Sequence, residues 1–175
     1  LYNNSTEYRL VDAGSAGISD DETLVGKVNI KNTYRGKAVT AISDKAFKGN
    51  AKVKEIVISE GIREIGKQSF SNCSRLESVV LPESLVSIGD SAFFACNNLT
   101  GVTIPNKITE LPKSAFSYCR KLATVVLGSG LKVIGESAFA NDIALTELII
   151  PDGVTYISTS AFNKASGLKR IVFGK

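Results

Sequence analysis

The 175-residue chain contains no histidine, no methionine and no tryptophan, and only three cysteines and four prolines. Without histidine the usual general base is missing, so acid–base and nucleophilic catalysis lose their commonest partner. No apolar run approaches the roughly 18 residues of a membrane helix, so no membrane span is expected. A strong charge bias is missing too: 21 basic and 17 acidic residues leave a net +4 spread along the chain. Nucleic-acid binders concentrate lysine and arginine in one tract or on one face, and no such tract occurs, so no nucleic acid is expected as a partner. The chain opens at Leu1 rather than at methionine. Removal of a signal peptide, or a start inside a longer protein, would each explain that.

What is present is a composition suited to one globular domain, 43% hydrophobic and 22% charged. A disordered chain would be far less apolar. The chain is also a repeat. From Ile42 it divides into 23-residue units without insertion or deletion, at 42–64, 65–87, 88–110, 111–133 and 134–156, with a shortened sixth from 157 to 175. The unit 88–110 reads IGDSAFFACNNLTGVTIPNKITE and the next reads LPKSAFSYCRKLATVVLGSGLKV. A period of this size points to a leucine-rich-repeat solenoid, in which no unit buries its apolar face alone and stability comes from stacking neighbours.

Each unit can be read by column. Column one holds Ile42, Ile65, Ile88, Leu111, Ile134 and Ile157. Column six is phenylalanine throughout: Phe47, Phe70, Phe93, Phe116, Phe139 and Phe162. Columns twelve, fifteen, seventeen and twenty-one are also apolar, as at Leu99, Val102, Ile104 and Ile108. The period-two spacing of columns fifteen and seventeen predicts a short strand, which Pro82, Pro105 and Pro151 then stop. The next stretch, GDSAFFAC, predicts a turn leading into one or two helical turns, with Ser91 as cap. The expected architecture is therefore an α/β repeat solenoid: a right-handed superhelix with a parallel concave sheet and short convex helices.

The pattern L-x-x-V-x-I-P followed by I-x-x-I-G-x-x-A-F-x-x-C-x-x-L resembles the BspA-like (Treponema-type) leucine-rich repeat family of bacterial surface proteins. The resemblance runs unbroken over 42–175. It includes the missing asparagine after the strand, where column twenty holds Gly61, Ser84, Lys107, Gly130 and Gly153. It implies a secreted or cell-surface protein that acts by binding a protein partner, with host extracellular proteins among the candidates, and that is not an enzyme.

Residues 1–41 do not follow the register and are read as an N-terminal capping segment. EYRLV (7–11) and GKVNI (26–30) read as strands, separated by the turn-rich DAGSAGISDDET. Val28 and Ile30 can stand in columns fifteen and seventeen, and Val39 in column twenty-one, with about five extra residues between. At the other end Phe173 would lie near an open end of the core.

Cys73, Cys96 and Cys119 all occupy column nine, whose other occupants are Asn50, Asp142 and Ala165. A column of cysteines is a structural position, so buried free thiols are expected rather than a nucleophile. A disulfide between stacked neighbours or a reactive thiol are the alternatives. Arg120 and Lys121, which flank Cys119, are read as solvent-facing. The stretch GSGLKVIG (128–135) superficially resembles a phosphate loop, but its spacing is not G-x-G-x-x-G and it falls on turn and strand columns. Asp20, Asp21 and Glu22 lack the alternating ligands of a calcium loop, so neither a metal nor any cofactor is expected. Asn3, Asn4 and Asn98 stand in N-x-Ser/Thr sequons.

The candidate binding surface is column sixteen. Lying between two inward columns, it points outward on a strand, and it holds Val57, Val80, Thr103, Val126, Ile149 and Val172. Flanking columns add Lys54, Glu55, Glu77, Glu147, Lys169 and Arg170. An apolar stripe of this length marks a partner-binding surface, although β-branched residues also favour strands for their own sake. A structural spacer within a larger surface protein is the competing reading. Carbohydrate binding would want exposed aromatics along one face, yet six of the eight phenylalanines form column six, and Tyr118 and Tyr156 lie away from the strand.

Overall fold

The computed structural model describes the backbone of residues 8–12 and 15–18, and residues 26–34 and 36–174 in full. The chain winds as a parallel β-solenoid of about six coils. The strands Gly26–Ile30, Val53–Ile58, Ser78–Val80, Gly101–Thr103 and Thr124–Val126 form one five-stranded parallel sheet. Beside it lies a second parallel pair, Glu147–Ile150 with Arg170–Phe173. From Val53 onward the registers are offset by one unit: Glu55 faces Ser78, Gly101 faces Thr124, and Glu147 faces Arg170. Period-two sequence becomes period-two burial here. Val79, Val102, Val125 and Leu148 point into the core while their neighbours face solvent.

After each strand the chain turns through a bond from column twenty-one back to column eighteen. Leu85, Ile108 and Val154 donate to the carbonyls of Pro82, Pro105 and Pro151. Two-residue strands follow (Ala41–Ile42, Glu64–Ile65 and Ser87–Ile88, then Glu110–Leu111, Val133–Ile134 and Tyr156–Ile157), and they stack as a second parallel ladder.

The expected convex helices are not there. No helix occurs among the described residues, and Ser91 caps nothing. In column four Lys45, Gln68, Ser91, Ser114, Ser137 and Ser160 have positive φ. In column eight Gly49, Asn72, Ala95, Tyr118, Asn141 and Lys164 do the same; over both columns the non-glycine values run from 54° to 64°. The physical reason is where the N–H groups go. Columns five, seven and nine close tight turns within the coil, as in Ala92 to Gly89, Phe94 to Ser91 and Cys96 to Phe93. Columns four, six and eight instead donate to the following coil, as in Ser91 to Lys113, Phe93 to Ala115 and Ala95 to Ser117, at 2.8–2.9 Å. A helix would spend all of these donors on itself and leave the stacked coils unjoined. The left-handed residues cost on the order of 1–2 kcal/mol each, and the inter-coil ladder and the packing beneath it offset that.

Beneath this turn ladder the phenylalanines stack. Successive rings from Phe47 to Phe162 lie 4.9, 5.1, 5.2, 5.8 and 5.9 Å apart and within 28° of parallel, inside the range of favourable aromatic pairs. The core is closed through the middle coils. In the last one Ile157, Phe162 and Leu168 are half-buried and Phe173 is 64% exposed.

At the N-terminal side Val28 and Ile30 face Ile56 and Ile58, the column positions expected of them, and Val39 is buried. The extra residues form a small antiparallel hairpin, Thr33–Tyr34 with Lys37–Ala38, turned at Gly36 with φ of 75°. Within the stretch read as turns, Ser15–Ile18 is a strand. It pairs with Ala41–Ile42 on one side and with Tyr8–Asp12 on the other, so an available sheet edge overrides the local glycine and serine preference for turns. Asp20, Asp21, Glu22, Asn3 and Asn4 lie outside the described residues.

Candidate functional site

Column sixteen points outward along the whole strand face. Val57 stands beside Val80, Thr103 beside Val126, and Ile149 beside Val172. Val80, Val126 and Ile149 are 54%, 51% and 61% exposed. Thr103 is exposed as well, and Val57 and Val172 are half-buried. The cap-side strand adds Asn29 next to Val57, a polar member of the same column that follows from placing Val28 and Ile30 on either side of it.

The flanking charges are arranged differently from a free electrostatic pattern. Lys54 pairs with Glu77 at 3.5 Å, Lys27 with Glu55 at 3.6 Å, and Arg170 with Glu147 at 3.7 Å. These exposed pairs contribute about 0–1 kcal/mol each to stability, but they neutralise most of the charge on the face. Of the two adjacent cations Lys169 and Arg170, the second is thus neutralised by Glu147. Between the two paired ends the middle strands carry Thr100, Gly101, Ala123 and Thr124, so the centre of the face is uncharged.

The cysteines lie on the opposite side of the core. All three are buried and free, and their thiols donate to the carbonyls of Phe47, Phe70 and Phe93 at 3.1–3.2 Å. Burial pushes the Cys73 and Cys119 thiols well up, away from the reactive thiolate. A thiol-reactive dye should therefore label the native protein slowly and all three sites once denaturant is added. Rapid labelling of native Cys119 would contradict this arrangement.

Asp142 fills the same column one coil later. It is fully buried, its Oδ1 accepts the Cys119 N–H at 2.8 Å, and its Oδ2 has no partner. Burial pushes this carboxyl up to about 8. The Gly128–Gly135 stretch lies on a turn and in the second ladder, with no phosphate-loop geometry. Gly128 is required there because a Cβ would approach the Pro105 carbonyl oxygen to 2.5 Å. No cluster able to hold a metal occurs among the described residues.

Coils of constant length, joined by parallel ladders around an apolar stack, define a leucine-rich-repeat solenoid. Residues 40–169 match six copies of the BspA type leucine rich repeat region, and the chain belongs to that family. Among solved structures it is similar to a T. pallidum leucine-rich repeat protein at 22% identity, with a TM-score of 0.64 over 95% of this chain and 67% of that one. A leucine rich cell surface protein from Faecalibacterium prausnitzii aligns at 24% identity and a TM-score of 0.71, over 99% of this chain and 54% of its own. A leucine-rich repeat protein from Bacteroides ovatus aligns at 25% identity and 0.68, over 98% and 52%. The chain thus spans about half the length of the latter two. No curated protein sequence matches it.

Proposed function

We propose that the chain is an extracellular or cell-surface module that binds a protein partner through its strand face, in adhesion or host interaction. The outward ladder of column sixteen carries this reading. Strand propensity alone would accept threonine as readily as valine or isoleucine, yet only Thr103 takes that option among six coils. An apolar stripe with an uncharged centre, and ion pairs satisfied within the chain at its ends, suits a surface that is desolvated on binding. The cell-surface description of the Faecalibacterium prausnitzii neighbour supports the location. Leucine-rich-repeat folds generally act by binding rather than by catalysis. In this reading residues 1–41 serve as the N-terminal cap, 42–175 as six repeats of the same domain, and the strand face as the concave side.

The test is capture of extracellular-matrix and serum proteins on the immobilised protein, repeated with a Val80→Lys, Val126→Lys, Ile149→Lys variant. The three side chains are already solvent-facing, so the melting temperature should hold within a few degrees while capture falls by about tenfold or more. Capture that survives the three lysines overturns the assignment of the face. A structural spacer is the second reading, in line with the Faecalibacterium prausnitzii neighbour, of whose length this chain spans about half. It expects the triple variant to change no interaction of the larger protein.

A further inference from the structure

The repeat provides its own control. Six coils share one backbone, so a side chain found in only one or two of them is not demanded by the scaffold. Column seven is Lys48, Ser71, Ser117, Ala140 and Asn163, with Phe94 the exception. Column eight holds Gly49, Asn72, Ala95, Asn141 and Lys164, with Tyr118 the exception. Tyr118 has φ of 64°, a backbone state that suits the glycine and asparagines of that column far better than an aromatic residue. The two exceptions are neighbours. Their rings lie 5.4 Å apart and are tilted by 58°, on the turn face, away from the strand face.

They wall an open depression of about 530 Å³, completed by Asn97, Asn98, Arg120 and Lys121, a volume within the usual range of small-ligand sites. Its polar groups are largely uncommitted. Asn98 Nδ2 is anchored on the Ser74 carbonyl at 2.6 Å, which fixes the amide. Of the exposed cations among the described residues, some, such as Lys54, Lys113 and Arg170, pair with a carboxylate of an adjoining coil, while others, such as Arg75 and Lys169, do not. Arg120 and Lys121 pair with none among the described residues, and no acidic side chain lines the depression.

We propose that this depression is a second binding site, independent of the strand face, for an acidic saccharide whose sugar ring carries a carboxylate. The negative face of an aromatic ring attracts the weakly positive C–H edge of a pyranose. Two rings set at an angle give such a sugar a shaped platform rather than a flat patch. Asparagine amides both donate to and accept from hydroxyls. Arg120 and Lys121 supply the counter-charge, arginine with the two-pronged geometry that carboxylates fit. Two cations and one aromatic pair are too few for a nucleic-acid tract.

The test is a titration of the full chain, followed by amide chemical shifts, with a galacturonic-acid trimer, a neutral galactose trimer and a tetra-glutamate peptide. The uronate trimer should shift amides of residues 94–98 and 118–121 and bind about tenfold more tightly than the neutral trimer. Tyr118→Asn and Arg120→Ser place residues that other coils already carry at those columns, so both variants should fold, and each should weaken the uronate about tenfold. The triple lysine variant of the strand face should bind the uronate unchanged, which separates this site from the proposed partner surface. Equal binding of the two sugars, retention of uronate binding by both variants, or tighter binding of the peptide would each overturn the proposal.

Discussion

Asp142→Asn should stabilise the protein by about 2–4 kcal/mol at pH 8 and by less than about 1 kcal/mol at pH 4. The carboxyl is fully buried, and only one of its oxygens has a partner. Its ordinary value of 3.8 is pushed up to about 8, so the folded state holds a proton that the unfolded chain has released by pH 5. The resulting stability is fully present below about pH 4 and is lost as pH rises through about 8, where the folded form must ionise too. The groups facing Asp142 across the stack do not compensate: Cys119 in the preceding coil is itself held neutral by burial, and Ala165 stands in the same column of the next. Asparagine needs no proton. The column already accepts it at Asn50, whose side chain takes the N–H groups of Lys52 and Val53 at 2.8 and 2.9 Å. Its new N–H₂ can donate to the Phe116 carbonyl, the place equivalent to the carbonyls the three thiols use. Denaturant melts at pH 4, 7 and 8 decide the matter. A variant with the same pH slope as the parent would mean that Asp142 is ionised and solvated in the fold.

Phe116→Ala should cost about 3–5 kcal/mol, and Phe162→Ala roughly half as much. Phe116 is fully buried with a ring on either side, Phe93 at 5.2 Å and Phe139 at 5.8 Å. Phe162 stacks on one side only and is half-buried. In a solenoid each coil contacts only its neighbours, so a void in the fourth coil weakens two interfaces whereas one in the last weakens a single interface. Chemical denaturation of both variants provides the comparison. Equal losses would show that stability is shared throughout the chain rather than passed from coil to coil.

The apolar columns, the outward ladder and the free thiols were legible because each depends on spacing alone. Ion pairs such as Lys54–Glu77 and Glu147–Arg170 follow from the same spacing, since partners one unit apart must lie side by side. The helix at GDSAFFAC was misread for a definite reason. Small residues after serine suit a helix start as well as they suit a left-handed turn, and the choice is made by carbonyls 22 residues away in the next coil. Column eight did hold a local hint, since Gly49, Asn72 and Asn141 all tolerate positive φ. The state of Asp142 was hidden because aspartate, asparagine and cysteine fill that column interchangeably, and only full burial separates them. The meeting of Phe94 with Tyr118 was not legible, because they stand in different columns and touch only across two coils.

The turn ladder gives the molecule an arrow. Its N–H groups in columns four, six and eight point toward the following coil, and the carbonyls that receive them point back. One end of the stack therefore leads with donors and the other trails with acceptors. Two such stacks can continue this ladder only head to tail, since a head-to-head meeting sets donor against donor. Any domain or further coil that joins the leading end has to present carbonyls to be seamless. Growth along this axis is directional in the way that a filament is.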